Sequence, residues 1–188
     1  MNLIRWFEKG MSFADYKSSM NVHHENLQNI YESFRLPHMD IPFLKKLKNK
    51  NLKVIVLTED WCGDAMLNIP ILMKVAEEAG IESSFLQRDS HLELMDQYLT
   101  NGVSRAIPIF IFFNEAGKEK LVWGPRAPKV QKLVEDERAK LPPKEEESFM
   151  GKQKEMITNL TSAYIHDLDL REEVYNSLKT SLYHQFLV

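Results

Sequence analysis

The segment NLKVIVLT, Asn51 to Thr58, sets the strongest constraint on the fold. An aliphatic, β-branched run with asparagine and lysine at its start is the pattern of a strand buried on both faces. Such a strand needs helices on each side of its sheet, and the next residues supply the first of them. Met66, Ile69, Leu72, Met73, Val75 and Ala76 recur at helical spacing, and Gly80 provides a C-terminal stop. Pro70 falls inside this helix and is expected to kink it. IESSFLQRD then reads as a second strand, and HLELMDQYLTNG as a helix closed by Asn101 and Gly102. IPIFIFF, NEAGK and EKLVWG read as strand, tight turn and strand, an antiparallel hairpin, and PKVQKLVEDERAKL as an amphipathic helix. The order β-α-β-α-β-β-α predicts an α/β fold, a mixed central sheet with an antiparallel edge, flanked by helices.

Helical extensions are expected on both sides of this core. Ser12 can cap a helix carrying Phe13, Tyr16, Met20, Leu27, Ile30, Tyr31 and Phe34, which RLPHMDIP stops. Phe43, Leu44 and Leu47 suggest a second, short helix. PPKEEES reads as a solvated linker, and the tail beyond it as two helical stretches hinged near HDLD. The division is therefore 1–50, a helical N-terminal extension; 51–141, the core; and 142–188, a linker and helical tail. The pattern leaves three placements open for the extensions: over the sheet edge, over the Cys62 surface, or at a homodimer contact.

Composition excludes several classes of function. A formal net charge of −3 gives no electrostatic footprint for nucleic acid. No apolar stretch approaches a membrane span, and Glu8 and Lys9 interrupt the opening segment before it reaches signal-peptide length. With Cys62 the one cysteine, no disulfide forms within the chain, and a cytoplasmic, reducing location is expected. His23 and His24 are helical neighbours that face different directions, so no metal site is expected, and no cofactor.

Cys62 stands where the first core strand hands over to a helix, in TEDWCGDAMLN. Backbone N–H groups at a helix start favour thiolate, the attacking species in disulfide exchange. Gly63 allows a tight turn beside the sulfur, and Trp61 can shield one side of it. Glu59, Asp60 and Asp64 oppose this as like charges, so modest activation is expected. The plain alternative is a small apolar core residue. Arg105, three residues before Pro108, is a candidate for offsetting those carboxylates, and Arg88 is also noted. Pro108 opens its strand, a position a sheet tolerates, where the Ile107–Pro108 bond can adopt cis.

KVIVLTEDWCGDA and VSRAIPIFIFFNEAGKEKLVWG together resemble the thioredoxin superfamily, over about Leu52 to Leu141. The first is similar to that family's strand, Trp-Cys-Gly-Xaa-Cys motif and helix, and the second to its cis-proline strand, hairpin and glycine loop. The resemblance implies a thioredoxin-like fold, with Cys62 as catalytic nucleophile and Trp61 and Gly63 beside it. It also implies that Ile107, Pro108 and Gly124 contact an extended substrate. The chain departs from the pattern at Ala65, where the resolving cysteine would stand, and at Val56, where thioredoxins carry a buried aspartate. The expected function is monothiol thiol–disulfide exchange through Cys62. Its partners would be protein or low-molecular-weight disulfides and thiols, with a small thiol releasing the mixed disulfide. Two alternatives stay open: a redox-inactive peptide-binding module of the same fold, and a redox sensor in which Cys62 is reversibly capped.

Overall fold

The computed structural model describes residues 2–188. Four strands form one sheet: β1 (Lys53–Thr58), β2 (Glu82–Gln87), β3 (Ile109–Phe113) and β4 (Glu119–Trp123), in the order β2-β1-β3-β4. β1 pairs parallel with β2, Val56 opposite Phe85, and antiparallel with β3, Val56 opposite Phe110. β3 and β4 make the expected hairpin, Phe110 opposite Trp123. Being central, β1 is covered on both faces, which is why Val54 to Leu57 are fully buried.

Among the described residues the helices are α1 (Ile4–Phe7), α2 (Phe13–Ser19), α3 (His24–Ser33), α4 (Ile41–Leu47), α5 (Gly63–Ala79), α6 (Leu92–Met95), α7 (Pro128–Arg138), α8 (Phe149–His166) and α9 (Leu168–Phe186). α5 packs against α3, α4, α8 and α9, and its helical assignment is continuous through Pro70. Phe110 stacks on Trp123 with ring centroids 5.1 Å apart, and the Trp123 indole N–H donates to Ser177 Oγ at 3.1 Å, tying the hairpin to α9. On the other side Tyr16 of α2 stacks on Phe85 at 5.0 Å and shares a hydrogen bond with Thr58 Oγ1. The N-terminal segment also bridges the sheet edge at one point: Met11 and Phe85 exchange backbone hydrogen bonds of 2.9 Å. This one bridge caps the middle of the β2 edge.

Two helices are shorter than the sequence pattern predicts. The single helix expected from Phe13 to Phe34 is broken between Ser19 and His24, with His23 at a positive φ of 59°. Asp60 causes the break: its Oδ2 accepts the N–H groups of Asn21 at 2.7 Å and Val22 at 3.3 Å. The carboxylate thus satisfies donors that an unbroken helix would have used internally. Asp60→Ala is expected to lower stability by about 1 kcal/mol, read as a fall in the urea midpoint at unchanged m-value. The helix expected up to Asn101 is likewise a single turn, α6, because Thr100 turns back to pair with Ser104.

Among the described residues no helix is long and apolar enough to cross a membrane.

Candidate functional site

The turn from β1 into α5 disperses its carboxylates. Glu59, buried, accepts the Asp89 N–H at 2.8 Å, and Asp60 holds the α2–α3 break. Trp61 is half exposed, with the Arg88 guanidinium 4.9 Å from its ring centre. Cys62 is the N-cap residue of α5 in extended conformation, so the helix-start placement holds.

The environment of the sulfur differs from the expectation. Cys62 is only 8% exposed, and its Sγ donates to the Ile107 carbonyl at 3.4 Å. Burial, reinforced by the charge of Asp64, pushes the thiol pKa up to about 12. The Ala65 and Asp64 backbone N–H groups and the Arg126 charge act in the opposite direction and are outweighed. The expected modest activation is therefore corrected to a thiol held protonated. Desolvation of the thiolate, more than the neighbouring carboxylates, is the reason.

The segment expected to receive a substrate lies against the sulfur. The Ile107–Pro108 peptide is cis, and both residues are buried. The Ile107 carbonyl, which an extended peptide would use, already accepts the thiol. Gly124 lies against this segment at a φ of 124°, and a Cβ there would stand 2.3 Å from the Pro108 carbonyl oxygen. Cys62, Ile107, Pro108 and Gly124 are thus drawn together, with Gly124 backing Pro108 rather than facing the sulfur. Gly124 is exposed instead to a hollow shared with Tyr98 and Thr100.

What the sulfur does border is a cleft of about 280 Å³. Trp61, Gly63 and Asp64 form one wall, Arg126 and Arg138 another, and α8 lies across with Met156, Leu160 and Tyr164. His23 reaches the rim. Asp64 and Arg126 form a buried ion pair, 2.6 Å at its shortest and bidentate, with each side chain 11% exposed. Tyr164 completes it by donating its hydroxyl to Asp64 Oδ1 at 2.9 Å. The helical tail therefore covers the Cys62 surface, one of the three placements left open.

Arg105 does not reach this cleft. It forms a bidentate pair with Asp96, at 2.6 and 2.9 Å, and its carbonyl accepts from Arg88. The cation beside the sulfur is Arg126, which the sequence reading missed. Its signal was indirect: a carboxylate in the first turn of a buried helix needs a counter-ion, and Arg126 follows the hairpin in GPRAP. Among the described residues no group of three or more His, Cys, Asp or Glu side chains is arranged to hold a metal.

A family model described as thioredoxin matches residues 10–140. The chain belongs to the thioredoxin family. This thioredoxin-family match starts well before β1, at Gly10, so it takes in α2, α3 and α4 with the sheet. No curated protein matches the sequence. Two solved structures are similar over nearly their whole lengths. An HIV epitope scaffold aligns with a TM-score of 0.62 at 18% identity, covering 95% of this chain and 96% of that one. A protein of unknown function from Pseudomonas aeruginosa aligns with a TM-score of 0.60 at 16% identity, covering 96% and 98%. At such identities the likeness is one of fold, and here it extends over the terminal helices as well as the sheet.

Proposed function

We propose that this thioredoxin-family chain is a binding module that no longer carries out dithiol exchange, and that it takes its ligand in the cleft between the Trp61 turn and α8. One observation carries the reading: Cys62, the sole cysteine, is only 8% exposed, and that burial favours its protonated form. At neutral pH a thiol with its pKa raised in this way is almost wholly protonated, far more so than a free cysteine. Ala65 removes the second thiol that would complete an exchange cycle. The cleft supports a bound group better than the buried Ile107–Pro108 segment does. It combines an aromatic wall at Trp61, aliphatic residues of α8 and the Arg138 cation.

Monothiol exchange is the competing reading, and its support is that Sγ borders this cleft with Arg126 nearby. Turnover separates the two. Wild type and Cys62→Ser are each given a glutathionylated peptide and excess reduced glutathione, and the release of peptide thiol is followed. The binding-module reading predicts equal rates, both at the uncatalysed background. Release faster with wild type than with Cys62→Ser establishes exchange instead.

A further inference from the structure

A second cleft, of about 290 Å³, shares no lining residue with the first. It lies where the end of α3 meets the start of α9, bordered by Ser33, Arg35, Arg171, Glu172, Tyr175 and Asn176. Arg171 makes it unusual. This residue is 8% exposed and lies in the first turn of α9, where a cation gains nothing from the dipole.

Buried charges are ordinarily paired, because an uncompensated ion in a poorly solvated site is costly. Asp64 has Arg126, and Asp40, beside this cleft in sequence, has Lys179 and the Tyr175 hydroxyl. No carboxylate pairs with Arg171 among the described residues. Its two contacts are neutral: one terminal nitrogen donates to Ser33 Oγ at 3.0 Å, the other to the Ile165 carbonyl. These fix the plane of the guanidinium without neutralising it. A guanidinium carries five N–H donors, so with two used three are left, and the Nε–H is buried without an acceptor. Burial alone lowers the pKa of this group, as expected for a cation with no counter-charge nearby. Arg35, exposed, adds a second cation to the same cleft, against the single acid Glu172.

We propose that this cleft is a binding site for a small oxyanion, a phosphate or carboxylate group, which Arg171 receives from inside and Arg35 from the rim, with the Asn176 amide as a neutral donor. A planar fork with spare donors matches the geometry of such groups, and an arriving anion supplies the missing counter-charge. Both a phosphoryl and a carboxyl group present that chemistry, so the two are tested side by side.

The experiment follows the arginine Nε–Hε resonances by ¹H–¹⁵N NMR while inorganic phosphate, and separately acetate, is added at constant ionic strength. Sodium chloride serves as the control. The site predicts a saturable movement of the Arg171 resonance with at least one probe and none with chloride. Arg35→Gln, at an exposed position and checked for an unchanged amide spectrum without added anion, is expected to weaken that binding about tenfold. If neither probe moves the Arg171 resonance, or if Arg35→Gln binds as tightly as wild type, the cleft is not an oxyanion site. Because Cys62 plays no part, the result is independent of the reading proposed for the first cleft.

Discussion

Replacing Asp64 with asparagine is expected to destabilise the chain by about 3–5 kcal/mol, because it breaks a buried ion pair by removing one partner. Arg126 would be left with its guanidinium 11% exposed and no carboxylate beside it. Asparagine can still accept the Tyr164 hydroxyl, so the Tyr164 contact persists in weaker form, and the loss is chiefly electrostatic. The same substitution acts on the sulfur. Asp64 raises the Cys62 pKa by its charge, while Arg126 lowers it; with the first gone and the second unopposed, the pKa should fall. Asp64→Asn is therefore expected to be both less stable and faster to alkylate at Cys62 under native conditions. Denaturant titration measures the first effect and intact-mass alkylation kinetics the second. A variant that loses stability with no gain in thiol reactivity would show that desolvation alone governs the sulfur. Asp64→Ala, which also deletes the acceptor for Tyr164, should be the less stable of the two.

The second large effect is expected at Gly124. Alanine there faces two obstacles: a φ of 124°, which side chains rarely adopt, and a Cβ position 2.3 Å from the Pro108 carbonyl oxygen. The obstructing atom is backbone, so no side chain can swing aside. The loop after β4 must move away from Pro108, and Asn68 would resist: it is fully buried within α5 and donates its side-chain N–H to the Pro125 carbonyl at 2.9 Å. A loss of about 2–4 kcal/mol is expected for Gly124→Ala, against no loss, or a gain of up to about 1 kcal/mol, for alanine at the exposed Gly151 in α8. Gly151 meets nothing within 4 Å of an added Cβ, which makes it the proper control. Thermal unfolding of the two variants side by side gives the comparison. Equal midpoints would mean that Gly124 has no packing role against Pro108.

The sheet was legible in the sequence because its signals are local. The aliphatic run of β1, the turn between Phe113 and Glu119, and Gly80 at the end of α5 each declare themselves within a few residues. The two motifs around Cys62 and Pro108 also pointed to the right family, and Cys62 does cap α5 as expected. What escaped was set by distant partners. The break between α2 and α3 is made by Asp60, some 39 positions away from Asn21. The apolar spacing that suggested one long helix is real on both sides of it. Arg105 looked well placed by its distance from Pro108 along the chain, but Asp96 captures it locally. Arg126, 62 positions from Asp64, takes the role instead. The placement of α8 beside Cys62 escaped for a different reason. Leu160 and Tyr164 read correctly as the apolar face of a helix, yet nothing in that spacing says which surface the face will cover. The burial that raises the thiol pKa was therefore invisible, while the nearby carboxylates, which matter less, were in plain view.

The central claim is that Cys62 rests as a protonated, largely buried thiol. It is tested most directly by the pH dependence of its alkylation with iodoacetamide in the folded chain, compared with the same chain in denaturant. The account predicts that the native rate climbs with pH through and beyond pH 10 without levelling, toward a pKa of about 12, and stays far below the denatured rate at neutral pH. A native rate that levels at or below the free-cysteine pKa of about 8.5, or that matches the denatured rate, would contradict it.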